Sequence, residues 1–352
     1  MYAFRSKRLR MMATTGAALA GVALLAGCSS DADNGDTEDE AGGEETTEAD
    51  EGGSGETVVI GFSGPAADHG WLGAINSAAI AQADGYDDVE LRVAEGTNDP
   101  NLQISQVETF VNEGVDVIVL LPTDGAALTE AAINAMNAGV PVVNVDREFS
   151  SNDAARVTIL GDNYGMGVSA GEYICGELEG QSDAVIGEIA GIDSLQLTTD
   201  RSQGFSDALA DCGLSVGPRV AADFTIAGGQ EVTAQLLSAN PEIDAIWNHD
   251  DDQGIGVLAA IDEAGRDEFF MVGGAGSSNA MEAIKSGDSV LKATVIYPST
   301  QAADGIALAR LLAQNADLGD LASPGVPRRI VLDAPVVTAE NVDQYMEIGF
   351  ES

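Results

Sequence analysis

Basic residues are scarce in this chain: 15 Lys and Arg stand against 58 Asp and Glu, a formal charge of −43 over 352 residues. A polyanionic partner would be repelled rather than neutralised, which argues against nucleic acid as a ligand. Histidine is scarcer still. His69 and His249 are the only two, neither belongs to a His-Glu-x-x-His or Cys-cluster pattern, and the run Asp250-Asp251-Asp252 lacks calcium-loop spacing. No metal and no cofactor is therefore expected. Motifs for covalent chemistry are missing too. "GFSGP" at 61–65 starts like a Gly-x-Ser-x-Gly elbow but ends in Pro, and no carboxylate pair stands out as the acid and nucleophile of an exported glycosidase. "GMGVSA" at 165–170 fits a dinucleotide pattern, but a lone match is weak, and its glycines read better as room for close helix packing. A binding protein is expected rather than an enzyme.

Apolar residues make up 45% of the chain, enough for one or two α/β domains. After the N-terminal stretch, no run reaches the roughly 18–20 apolar residues that span a bilayer. That first stretch has a basic head (Arg5, Lys7, Arg8, Arg10) and the apolar segment "MMATTGAALAGVALLAGC", which reads as an export signal over residues 1–28. Its last four residues, Leu25-Ala26-Gly27-Cys28, resemble a bacterial lipobox, which implies lipidation of Cys28 and a membrane-anchored, extracytoplasmic protein. Residues 29–56 hold acidic, Gly, Ser and Thr residues and no apolar side chain larger than Ala, so they are expected to form a disordered, extended tether. Two cysteines remain, Cys175 and Cys212. Both fall on apolar helical faces, and they either form a disulfide, as an oxidising location favours, or stay as two buried thiols.

From residue 57 onward, ten Val/Ile-rich runs alternate with helical patterns, from "TVVIGFS" through "VDVIVLLPTD" and "VPVVNVDRE" to "LKATVIY". Continuous apolar strands followed by helices predict parallel sheets covered on both faces. Ten strands exceed one doubly wound sheet, so the predicted fold is α/β with two Rossmann-like lobes. Ligands of such sheets bind beyond the carboxyl ends of the strands. Those ends carry Asp146-Arg147, Asn248-His249-Asp250, Phe224 and Gly274-Ala275-Gly276, a set rich in hydrogen-bonding groups without a coherent catalytic constellation. A carboxylate accepts from two hydroxyls and a guanidinium donates in a fixed fork, while a ring covers the C–H face of a sugar. Asp146, Arg147, Arg201 and Asp250, with the rings of Trp71, Phe149 and Phe224, supply that repertoire.

These motifs occur in an order that resembles the type I periplasmic sugar-binding proteins of the ribose and galactofuranose kind, over residues 57–345. "DHGWLGAINSAA" is similar to that family's first ligand loop, "VETFVNEGVDVIVLLPTDGAALTEAAINAMNAGVPVVNVDRE" to its most recognisable block, and "GDNYGMGVSAGEYI" and "DRSQGF" to the blocks that follow. The resemblance implies ligand-binding roles for Asp68, His69, Trp71, Asp146, Arg147, Arg201, Phe224 and Asp250. It also places Tyr297 where a Gln is usual and Ala275 where an Asp is usual, which alters the liganding scheme and puts ribose itself in doubt.

The implied architecture is an N-terminal lobe of 57–160 plus 299–330 and a C-terminal lobe of 161–298 plus 331–352. They are joined by crossings near Leu160–Asn163, Ile296–Ser299 and Val331–Pro335. The implied function is capture of a monosaccharide or polyol by a monomer that delivers it to an ABC-transporter permease. Presentation of the closed form to a signalling receptor is the alternative.

Overall fold

The computed structural model describes residues 57–319 and 325–352. The export signal, Cys28 and the acidic tether lie outside the described residues. Along the chain run β1 (Val58–Ser63), α1 (Gly70–Asp84), β2 (Val89–Val93), α2 (Pro100–Glu113), β3 (Val117–Leu120), α3 (Gly125–Asn137), β4 (Val142–Val145) and β5 (Val157–Gly161). Then come α4 (Asn163–Glu177), β6 (Ile186–Ala190), α5 (Gln196–Asp211), β7 (Val216–Ala221), α6 (Ile226–Ala239), β8 (Ala245–Asn248), α7 (Asp251–Ala264) and β9 (Phe270–Ala275). The last are α8 (Ser278–Ser286), β10 (Leu291–Ile296), α9 (Gln301–Ala313), β11 (Arg329–Leu332) and β12 (Val336–Thr338).

The strands form two six-stranded sheets, ordered β11-β5-β4-β3-β1-β2 and β12-β10-β9-β8-β6-β7. Every pairing is parallel except that of β12 with β10. The central strands β3, β4, β6 and β8 are buried at every position, as sheets covered by helices on both faces require. All ten expected strands are present. The two additional ones lie at sheet edges: β11, with alternating exposure, and β12, only three residues long.

The chain passes between sheets three times: after Gly161, where α4 leaves the first sheet for the second; after Ile296, where α9 returns; and after Leu332, where β12 joins β10. The first sheet thus keeps Gly161, Val331 and Leu332, one or two residues past the expected bounds of 160 and 330, because β5 and β11 pair through Leu332↔Gly161.

Local sequence sets the helix ends near the site. Asp99, Asp124, Asp162 and Asp250 each cap the helix that follows a strand, their carboxylates accepting backbone N–H bonds. Of the two glycines of "GMGVSA", Gly167 does bring helices together, as does Gly204 on the facing helix. A Cβ on Gly167 would overlap the Arg201 carbonyl, and one on Gly204 would overlap that of Tyr164, so α4 and α5 cross with backbones in contact. This approach seats Arg201 beside Asn163 at the start of α4. Cys175 and Cys212, near the far ends of the same helices, form a disulfide with an S–S distance of 2.07 Å.

Candidate functional site

Both sheets direct the carboxyl ends of their strands at one crevice. There a narrow chamber is lined by His69, Trp71, Asp146, Arg147, Leu197, Arg201, Phe224, Asp250 and Tyr297. His69, Trp71, Asp146 and Arg147 come from the first lobe, and Leu197, Arg201, Phe224 and Asp250 from the second. Tyr297 sits on the crossing that follows β10.

Asp146 follows β4 with φ 64°, and Phe224 follows β7 with φ 67°. Left-handed backbone at non-glycine residues is unfavourable and concentrates where a side chain must be aimed at a function. Here it turns a carboxylate and a ring into the crevice. Asp146 is buried, and its Oδ1 accepts from the Tyr297 hydroxyl at 2.5 Å. Its Oδ2 faces Arg147 Nε at 3.7 Å, beyond hydrogen-bond length. Arg147 spends its Nη1 on the Thr123 carbonyl at 2.7 Å, which leaves its buried Nε without a partner. An unpaired buried donor beside a half-engaged carboxylate is the polarity a hydroxyl group satisfies.

Arg201 is fixed from behind. Its Nε donates to Asn163 Oδ1 at 2.9 Å and its Nη1 to the His249 carbonyl at 3.2 Å, and its guanidinium carbon lies 4.5 Å from the Tyr297 ring centroid and 5.9 Å from that of Phe224. The Phe224 ring fills the place where a side chain on Gly191 would stand. Asp250 caps α7 through Oδ1, accepting from the Asp252 and Gln253 amides, and burial pushes its carboxyl up to about 6.

The lobes also touch directly. Asp252 Oδ2, at the start of α7, accepts from the Trp71 amide at 2.8 Å and meets His69 Nδ1 at 3.2 Å, so a carboxylate of one lobe caps α1 of the other. His69, Asp250 and Asp252 can bring one ligand atom each within 4.8 Å of one another. The internal hydrogen bonds already made by Asp250 and Asp252 account for that grouping without an ion.

Burial opposes protonation of His69, but the bond to Asp252 and the fields of Asp250, Asp252 and Asp68 outweigh it and raise its pKa. A histidine raised in the folded state contributes stability that is complete below its unfolded value of about 6.5 and is lost as pH rises through the folded value. The melting temperature of the unliganded protein is accordingly expected to exceed that of His69→Gln at pH 5.5, with the gap narrowing as pH rises above 6.5. A gap constant from pH 5.5 to 8.5 would contradict this reading of His69.

Two expected contacts lie elsewhere. Phe149 does not line this chamber: it is buried in the cluster of Phe110, Leu128, Val142 and Ala154, its amide donates to Asn144 Oδ1 at 3.3 Å, and it borders the adjoining cavity that Asp146, Arg147 and Leu197 also line. Asp68 is exposed and accepts from Asn98 Nδ2 at 2.8 Å on the rim. Sequence reasoning missed Leu197, Asn163 and Asp252. Leu197 and Asn163 open helices just after strands, a position that in retrospect is the available signal.

A further buried polar set stands behind Arg201. Ser202 Oγ donates to Glu188 Oε1 at 2.5 Å, and His249 Nε2 is 3.0 Å from the same oxygen. Burial holds His249 down at about 4, so it is neutral. The hydroxyl is bonded to the carboxylate and not to the imidazole, an arrangement that does not activate a nucleophile.

Comparison with known proteins bears on the fold and the family. The chain is 33% identical over 221 residues to the ribose import binding protein of Bacillus subtilis, covering 61% of this chain and 70% of that one. An ABC transporter solute-binding protein from Bacillus halodurans with bound myo-inositol superposes with a TM-score of 0.74 at 24% identity, over 84% of this chain and 99% of the other. The binding-protein component of the arabinose ABC transporter from Shewanella, bound to L-arabinofuranose, gives a TM-score of 0.72 at 25% identity, over 82% and 95%. These are solute-binding proteins rather than enzymes. Residues 60–317 match the family model described as periplasmic binding protein domain, and the chain belongs to that family.

Proposed function

We propose that this protein is an extracytoplasmic solute-binding lipoprotein. It captures a monosaccharide or polyol between its lobes and delivers it, unaltered, to an ABC-transporter permease. The observation that carries the proposal is the chamber itself: Asp146, Arg147, Arg201 and Asp250 converge from two lobes with the rings of Trp71 and Phe224. Carboxylates and guanidinium forks match vicinal hydroxyls, and the rings cover the apolar side of a sugar. A ligand bonded to both lobes favours the closed form by its differential affinity, and the three crossings are the hinge. The closed surface is then what a permease recognises. Anchoring through Cys28, with residues 29–56 as spacer, belongs to the same proposal. It is supported by the basic head, apolar stretch and Leu-Ala-Gly-Cys ending of the first 28 residues.

The test is thermal shift of purified protein against pentoses, hexoses, polyols and charged metabolites. A ligand at 100 times its dissociation constant contributes about 2.7 kcal/mol, which raises the melt by several degrees. A melt moved by a charged metabolite and by no polyhydroxy compound would overturn the reading.

A further inference from the structure

Tyr297 lines the chamber, yet its own polar end is already used. The hydroxyl donates to Asp146 Oδ1 at 2.5 Å and accepts from Asn163 Nδ2 at 3.1 Å. Burial and the neighbouring Asp146 carboxylate push the phenol up, so it remains a donor. The ring is flanked by the Arg201 guanidinium, 4.5 Å from its centroid, and by the tilted Trp71 ring at 5.4 Å. The backbone is tied as well: its carbonyl accepts from Trp71 Nε1 at 3.1 Å and its amide donates to the Ala275 carbonyl at 3.1 Å.

The fold also makes room for this ring. Gly161 ends β5 beside it, and a Cβ there would overlap the ring atoms of Tyr297. A side chain with two hydrogen bonds to its hydroxyl, two close neighbours to its ring and a glycine clearing its edge is a fixed part of the wall. It removes one oxygen of Asp146 from the ligand's reach and narrows the space that the lining residues leave open.

We infer that Tyr297 is a specificity determinant that closes one end of the chamber, so that the site takes compact polyhydroxy compounds such as tetritols, pentitols and pentofuranoses and turns away hexopyranoses. The inference rests on the sugar-binding reading above. A guest that needs the ring's space must break a phenol–carboxylate hydrogen bond and uncover Arg201, an affinity loss on the order of 10- to 100-fold. What remains open to a small guest is Asp146 Oδ2, the unpartnered Arg147 Nε and the face of Phe224.

Isothermal titration of the wild type, Tyr297→Gln and Tyr297→Phe against erythritol, xylitol, ribose, arabinose, glucose and galactose tests it. The wild type is expected to bind one of the first four at least about 10-fold more tightly than either hexose. Tyr297→Gln is expected to reduce that ratio at least fivefold by admitting the hexoses, whereas Tyr297→Phe, which keeps the ring, retains the size limit. A wild type that binds a hexose as tightly as the smaller compounds overturns the inference, as does an unchanged ranking in a folded Tyr297→Gln; the sugar reading survives both outcomes. If neither protein binds any polyhydroxy compound, the sugar reading itself fails and this inference fails with it. The wild-type ratio alone decides the matter should Tyr297→Gln not fold.

Discussion

Replacement of Arg201 by Ala is expected to weaken ligand binding by about 100-fold or more. The guanidinium is 4% exposed and immobilised by Asn163 Oδ1, the His249 carbonyl and two aromatic rings, so its remaining N–H groups are aimed at the chamber before any ligand arrives. Hydrogen bonds from a charged donor contribute roughly 1.5–3 kcal/mol each, and two of them amount to on the order of two to four powers of ten in affinity. Preorganisation adds to this, because the side chain has no rotamer freedom left to lose on binding. Arg201→Lys should recover little, since an ammonium cannot hold Asn163 and a ligand hydroxyl in one plane. The measurement is titration calorimetry with the tightest-binding compound of the panel, alongside the unliganded melting temperature of each variant. Binding within about threefold of wild type by a folded Arg201→Ala would remove Arg201 from the site.

Loss of the Cys175–Cys212 bridge is expected to cost about 3–4 kcal/mol of unfolding free energy. The two cysteines are 37 residues apart in sequence. In the chain-entropy account, cross-linking a loop of that length restricts the unfolded ensemble by roughly this amount. The bridge ties α4 to α5, the helices that carry Asn163 and Arg201. Urea denaturation of the wild type with and without reductant, and of Cys175→Ser/Cys212→Ser, reads the effect as a lowered midpoint. Equal midpoints in all three would show that close packing of α4 on α5 already supplies the constraint. Most of the loss should fall on stability rather than affinity, because neither sulfur approaches the chamber.

The parts of this molecule that were legible in its sequence are those governed by burial. The central strands read as apolar runs because helices cover them on both faces, and their polar ends read as a crevice because unpaired charges cannot stay in a core. Asp146, Arg147 and Asp250 were legible for that reason, and Arg201, inside α5, through the family resemblance. β11 and β12 were not, since "RIVL" is half exposed at an edge and "VVT" is too short to show a pattern. Nothing in "VDREFS" shows that Asp146 takes a left-handed backbone conformation, or that Phe149 packs with Phe110 and Leu128 instead of lining the same chamber as Asp146. Tyr297 was visible as an unusual residue at a ligand position. Its role was not, because the hydroxyl's partners, Asp146 and Asn163, lie 151 and 134 residues away in the chain. The Asp252 cap on α1 was hidden likewise by a separation of 181 residues.

The central claim is that one uncharged polyhydroxy compound is held by both lobes at once. The crystal structure of the protein grown with the tightest-binding compound of the panel tests it most directly. The account predicts ligand oxygens within hydrogen-bond distance of Asp146 and Arg147 on one lobe and of Arg201 on the other, with a C–H face against Phe224 or Trp71. A ligand seated on a single lobe, or outside the chamber with Asp146 and Arg201 untouched, would contradict it.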